Sequence, residues 1–300
     1  MPHRRKNGQP VNLSNTVFLA AAFLGGCADV APRLSLPTFA PAATLDIPFN
    51  VVSPDGPGPF PAVVIMHDCS GLGPNSSGSP ARWAKQLVNN GFLVIMPDSF
   101  STRGFADGVC TNPSPARADV GASRRARDAY ATLAYLRTLP NVYPQRIGLM
   151  GGSHGGATTL VTMAAPVGGD TTPSAAPAGF ASAVALYPSC AIRMGDWRAD
   201  GGGVYKPLAP LLILSGELDD WTPAEPCRKL AEKANAAGYP VSLKIYPGAH
   251  HSFDSSRPVR YVATRVNGNA PGGRGATTGG NAAAWADSIV EVTAFFNRNL

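Results

Sequence analysis

The stretch Arg146-Ile-Gly-Leu-Met-Gly-Gly-Ser-His-Gly-Gly-Ala157 decides the fold. Ile147 to Met150 is a short apolar run, which reads as a buried strand. It leads directly into Gly151-Gly-Ser-His-Gly155, a G-x-S-x-G pattern, and Ala157 to Ala165 then reads as a helix. A strand, a tight glycine turn and a helix together make a nucleophile elbow. So sharp a turn strains the serine backbone and leaves room only for small neighbours. Gly151 and Gly155 supply that room, and Gly152 and Gly156 extend it. Ser153 is therefore expected to stand at the sheet edge, at the positive end of the following helix.

Working outward, strands and helices alternate. Thr44 to Val52, Ala62 to Met66, Phe92 to Met96, Phe180 to Tyr187, Leu211 to Ser215 and Val241 to Tyr246 read as strands. Arg82 to Asn89, Arg117 to Leu139, Ala224 to Ala237 and Ala282 to Phe296 read as helices. Residues 255–281 carry Gly, Asn and Arg with little periodicity and are expected to form a long surface loop. The alternation predicts the α/β class, with a mostly parallel central sheet and helices on both faces. A chain of 300 residues with 44% hydrophobic content can fill one such domain, expected over residues 44–300. Half of the net charge of +6 comes from Arg4, Arg5 and Lys6, which argues against a nucleic-acid partner.

A serine hydroxyl needs a base to take its proton, and the base needs a carboxylate to orient it. Downstream of Ser153, the strand ending at Ser215 runs into Gly216-Glu-Leu-Asp219-Asp-Trp-Thr-Pro223. The strand ending at Tyr246 runs into Pro247-Gly-Ala-His-His251-Ser-Phe253. Both loops leave the carboxyl ends of strands, where open α/β sheets bind ligands. The order Ser, acid, His is the order this elbow requires. The residues alone leave Asp219 beside Asp220, and His250 beside His251.

Taken together, the G-x-S-x-G elbow, Gly216-x-x-Asp219 with Pro223, and Ala249-His-His251-Ser-Phe253 resemble the dienelactone hydrolase branch of the α/β-hydrolases, over about residues 44–297. The resemblance implies the α/β-hydrolase fold and selects Ser153, Asp219 and His251 as the catalytic set. It matches His67-Asp-Cys69 to the oxyanion loop, making the backbone amides of Cys69 and His154 the oxyanion donors. The activity implied is cleavage of a small-molecule ester or lactone by a monomer, without cofactor or metal. Two departures stand out. The nucleophile here is serine, where the resembled enzyme has cysteine. The arginine four positions after the histidine, which holds a substrate carboxylate, is here Ser255. Arg103 is the candidate to replace it, because a guanidinium can pair bidentately with a carboxylate, and Trp221 is the candidate pocket wall. A second function class, a cell-surface lipoprotein using the fold only for binding, needs no such triad.

The N-terminus has a basic segment, His3-Arg-Arg-Lys6, an apolar run from Thr16 to Leu24, then Leu24-Gly-Gly-Cys27. The run is too short to span a bilayer, which takes about 20 residues, so a signal peptide is expected over residues 1–26. Leu-Gly-Gly-Cys resembles the bacterial lipobox, implying lipidation at Cys27, outer-membrane sorting or a periplasmic location, and a membrane link only through that anchor. Residues 27–43 read as a tether. Export places the other four cysteines, Cys69, Cys110, Cys190 and Cys227, in an oxidising compartment. All four follow strand ends on one face of the sheet, two on each side of the nucleophile strand. The topology therefore predicts Cys69–Cys110 and Cys190–Cys227.

Overall fold

A computed structural model describes residues 33–37, 44–166 and 179–300 of the chain. The expected signal peptide, Cys27 and most of the expected tether lie outside the described residues. Among the described residues, ten strands form two sheets: β1 Arg33–Pro37, β2 Thr44–Val52, β3 Phe60–Met66, β4 Leu93–Pro97, β5 Val142–Gly152, β6 Ser182–Leu186, β7 Leu211–Gly216, β8 Val241–Tyr246, β9 Arg260–Val266 and β10 Arg274–Thr278. The α-helices of the described residues are α1 Ser79–Asn89, α2 Ala122–Leu136, α3 His154–Met163, α4 Ala224–Ala236 and α5 Ala282–Asn299.

The large sheet has the order β1-β2-β4-β3-β5-β6-β7-β8. The pairs β1–β2 and β2–β4 are antiparallel, and every pair from β4 to β8 is parallel. The inner parallel strands β3, β4, β6 and β7, and β5 from Ile147 on, are apolar almost throughout because both of their faces are covered, whereas the edge strand β8 carries Ser242 and Lys244. Alternate residues feed two separate cores. Val64, Ile95, Leu149, Ala185 and Ile213 pack with α2, α3 and α4 on one face. Val63, Val94, Met150, Val184 and Leu212 pack with Trp83 and Leu87 of α1 and Val292 and Phe296 of α5 on the other. Helices therefore cover both faces, as the sequence pattern predicts.

The expectation of a long surface loop over residues 255–281 is corrected. That segment carries β9 and β10, an antiparallel hairpin outside the main sheet. The hairpin is fastened to the loops at the carboxyl ends of the parallel strands. Val266 N–H donates to Cys110 O (3.0 Å), Gly279 N–H to His251 O (3.0 Å), and Thr277 N–H and Oγ1 both to the Asp220 carboxylate (2.8 Å each). Sequence periodicity missed it because exposed, half-buried and buried positions do not alternate along either strand, so burial leaves no period-two pattern. The helix expected from Arg117 starts at Ala122, after a 3-10 turn over Pro115–Val120.

The cysteines pair as the topology predicts. Cys69–Cys110 and Cys190–Cys227 each have Cα atoms 5.0 Å apart, inside the range a disulfide needs. The first ties the loop after β3 to the loop after β4. The second ties the loop after β6 to the first turns of α4.

Candidate active site

Ser153 occupies the junction of β5 and α3 with φ 54° and ψ −115°, a region that a residue bearing Cβ enters only under constraint. The constraint is packing. A Cβ at Gly151 would collide with the backbone of Gly155, and one at Gly155 would collide with the carbonyl of Met66, so only glycines let α3 press against β3 and β5. Ser153 N–H is held by Leu186 O at 2.9 Å. A serine at the start of a helix ordinarily caps it with its own hydroxyl. Here the hydroxyl makes no cap bond, and Ser153 Oγ lies 2.9 Å from His251 Nε2.

His251 follows β8 and is fully buried. Its Nδ1–H donates to Asp219 Oδ2 at 2.8 Å, which leaves Nε2 to accept from Ser153. Asp219, after β7, is saturated with donors: Trp221 N–H (2.9 Å) and Thr222 N–H (2.8 Å) reach Oδ1, and Thr222 Oγ1 lies 2.9 Å from Oδ2. Thr222 Oγ1 is also 2.9 Å from His251 Nδ1, so the hydroxyl sits astride the acid–base contact. The neighbours left open by the sequence have other partners. Asp220 holds Thr277 of the hairpin, and His250 Nδ1–H donates to Leu218 O at 3.0 Å.

Two residues invisible to motif reading brace the histidine. The Tyr187 ring meets His251 edge-on with centroids 4.8 Å apart, and its hydroxyl donates to Asp254 Oδ1 at 2.9 Å. The other Asp254 oxygen accepts from Ser79 Oγ and from Trp83 Nε1 (2.8 Å). Burial pushes the Asp254 carboxyl above its usual range. A Cβ at Gly152 would come within 2.6 Å of the Tyr187 hydroxyl, so Tyr187 links the elbow to the histidine.

The loop after β3 is organised by buried cations and neutral imidazoles. Arg125, fully buried on α2, lies over the Phe100 ring, and its Nη2 donates to His67 O (2.7 Å) and its Nη1 to His154 Nδ1 (2.6 Å). Burial lowers its pKa to about 9. Burial, with the Arg125 charge second, pushes His154 down to about 3 and His67 well below the usual imidazole value. Both imidazoles are therefore neutral. His67 packs in the loop, donating Nδ1–H to Asp68 O (2.8 Å) and accepting from Ser99 N–H (3.2 Å). Among the described residues, neither the Cys69 nor the His154 backbone N–H is spent on a backbone carbonyl.

Ser153, Cys69, His154, Trp221 and Thr222 border one cleft of about 470 Å³, with Ile192 and Val266 on its apolar walls. Trp221 donates its indole N–H to Val266 O at 2.9 Å, so it belongs to this wall. The expectation for Arg103 is corrected. Its guanidinium forms a buried bidentate pair with Asp128 (2.6 and 2.7 Å) and donates to Ser99 O, so it has no fork left for a substrate carboxylate. The close trio Asp68, Cys69 and Cys110 offers no thiolate to a metal, because its sulfurs are joined in a disulfide.

Comparison with known proteins places this arrangement. A Synechocystis sp. protein provisionally named a carboxymethylenebutenolidase is 26% identical over 233 residues, covering 74% of this chain and 87% of that protein. A Klebsiella pneumoniae structure provisionally named a dienelactone hydrolase superposes with a TM-score of 0.61 at 18% identity, over 89% of this chain and 97% of that one. Thermogutta terrifontis esterase 2 with propionate bound superposes with a TM-score of 0.59 at 18% identity, over 89% and 93% of the two chains. Identities this low show a shared fold. Residues 47–300 match the dienelactone hydrolase family, and the chain belongs to that family.

Proposed function

We propose that the protein is a serine-dependent carboxylic ester hydrolase that cleaves small esters or lactones through an acyl-enzyme. One observation carries this reading: the unbroken line from Ser153 Oγ to His251 Nε2 (2.9 Å) and from His251 Nδ1 to Asp219 Oδ2 (2.8 Å), opening on a cleft. Ser153 Oγ attacks the ester carbonyl carbon while its proton passes to His251 Nε2. The oxyanion lies between the free amides of Cys69 and His154, the latter at the N-terminus of α3. Collapse breaks the bond to the alcohol, which leaves with the proton from His251. Water then attacks the acyl-enzyme by the same route, and the acid departs.

The apolar walls, with Ala157 and Ala191 beside Ile192, suit an apolar acyl or alcohol group. The esterase and lactonase names of the relatives support the same substrate class. Labelling with a fluorophosphonate, followed by peptide mass spectrometry, tests the nucleophile. A label on Ser153 that is lost in Ser153→Ala is expected. An unlabelled protein that turns over no aryl ester, lactone or hydroxycinnamoyl ester overturns the reading and favours a binding role. We propose further that the chain is exported, which two disulfides support, and that it is lipidated at Cys27. Intact-mass analysis of membrane-extracted protein tests this, and a mature form without lipid mass rules it out.

A further inference from the structure

A second cavity, of about 280 Å³, adjoins the Ser153 cleft and shares Cys110 as a wall. It opens between the β9–β10 hairpin and the loop before α1. Successive residues at the end of β9 divide the two spaces: Val266 borders the Ser153 cleft, and Arg265 borders the second cavity. Three arginines line it, the exposed Arg257 and Arg260 and the half-buried Arg265. Among the described residues none of the three makes an ion pair. Arg265 is half-buried, with its Nε shielded from water and without a hydrogen-bond partner, and its guanidinium stacks 5.1 Å from the Trp221 ring.

Asp68 answers part of the Arg265 charge, but among the described residues no acid forms an ion pair with any of the three arginines. Asp254 spends both oxygens on Ser79, Trp83 and Tyr187. Asp68 spends its oxygens on Ser70 and Ser77, and Asp107 accepts from Asn75. Partial burial of Arg265 without an ion pair is costly, and the like charges of the exposed Arg257 and Arg260 add repulsion. Burial lowers the Arg265 pKa, the charge of Asp68 opposes this, and the charges of Arg260 and Arg257 lower it further; an anion in the cavity would act in the same direction as Asp68. Ser252 also lines the cavity, directly after His251, at φ 58°. Such backbone persists where surroundings impose it, and it clusters at ligand sites.

We propose that this cavity is a binding site for an oxyanion group, a carboxylate, sulfate or phosphate, held by Arg257, Arg260 and Arg265 and separate from the Ser153 cleft. Planar guanidinium forks match the oxygen pairs of such groups. The group is carried either by a free anion or by the acidic end of an ester substrate whose other end reaches Ser153.

The test has a binding arm and a kinetic arm. Calorimetric titration of the full protein with inorganic phosphate and with sulfate, at ionic strength held constant with chloride, is expected to show saturable binding at one site. Arg265→Gln and the exposed Arg260→Gln are each expected to weaken it by about tenfold or more, the scale of one charge-assisted hydrogen bond. Arg298→Gln, an exposed arginine on α5, controls for overall charge and is expected to leave it unchanged. The kinetic arm compares kcat/KM for a 4-nitrophenyl hemiester of a dicarboxylic acid with that for the neutral 4-nitrophenyl ester of equal length. An acidic-to-neutral ratio that falls about tenfold in Arg265→Gln assigns the anion to the substrate. Lost phosphate binding with an unchanged ratio assigns it to a free anion. Absence of saturable binding together with an unchanged ratio overturns the proposal, as does an equal loss in Arg298→Gln. Because calorimetry needs no turnover, its outcome is independent of whether Ser153 is the nucleophile.

Discussion

Replacing Asp219 by Asn changes one atom, and the structure says which way the new amide must face. Asp219 Oδ1 accepts two backbone N–H groups, from Trp221 and Thr222. Only the amide oxygen of Asn can take that place. Its NH₂ must then face His251 Nδ1, forcing the imidazole to accept at Nδ1 and to carry its proton on Nε2, against Ser153 Oγ. That tautomer cannot act as a base. Flipping the amide restores the base but leaves two half-buried N–H donors facing an NH₂, at about 1–3 kcal/mol each. The active tautomer therefore lies roughly 2–6 kcal/mol above the inactive one, which predicts a fall in kcat of about thirtyfold to twenty-thousandfold. Asp219→Ala makes the sharper comparison. It removes the obstructing NH₂, and Thr222 Oγ1, 2.9 Å from Nδ1, remains to accept the proton in the productive tautomer. We expect Asp219→Ala to retain more activity than Asp219→Asn despite the larger deletion. The assay is kcat on an aryl ester across pH, with Ser153→Ala as the floor and far-UV dichroism as the control for folding. An Asp219→Asn enzyme within threefold of the parent, or more active than Asp219→Ala, refutes the tautomer argument.

Three more outcomes follow from the same geometry. The Cys69→Ser/Cys110→Ser variant opens a link spanning 41 residues, which predicts a loss of about 4 kcal/mol from chain entropy, read as a urea midpoint; it is also expected to lower kcat about tenfold by loosening the Cys69 amide, and an unchanged kcat would detach the bridge from the oxyanion loop. Burial raises the folded-state pKa of Asp254 above its unfolded value, so the folded protein binds that proton more tightly, and the contribution of Asp254 to stability falls as pH rises from the ordinary carboxylate range through the raised value. Asp254→Asn should therefore gain on the parent between acid and neutral pH in paired unfolding curves, and a pH-independent difference would contradict this. Arg103→Gln leaves Asp128 buried and unpaired, so it should cost about 3–5 kcal/mol in unfolding free energy with KM for neutral esters nearly unchanged; a raised KM at unchanged stability would return Arg103 to the substrate site.

How far the sequence alone reaches is set by the range of the forces involved. Strands β3 to β7 are legible because burial on both faces demands continuous apolar runs, and Ser153 is legible because its strained turn demands glycines. The disulfide partners are legible because chain order fixes which loops share the sheet's carboxyl edge. What is not legible depends on side chains meeting across long separations. Arg103 carries no mark of its bond to Asp128, and Arg125, on the polar-looking start of a helix, carries none of its burial between His67 and His154. The pair Asp219-Asp220 shows the limit most clearly. Both are acids on one loop, and what separates them is a hairpin that periodicity does not reveal. Thr277 takes Asp220 outward while Trp221 and Thr222 turn their amides onto Asp219. The same hairpin bonds to Trp221 through Val266 and to the His251 carbonyl through Thr278 and Gly279. The second acid therefore fastens the hairpin that holds the acid loop and the histidine loop together. Asp220→Asn should accordingly act through loop order, raising the sensitivity of residues 219–222 and 260–278 to hydrogen exchange, while leaving the tautomer of His251 as it is.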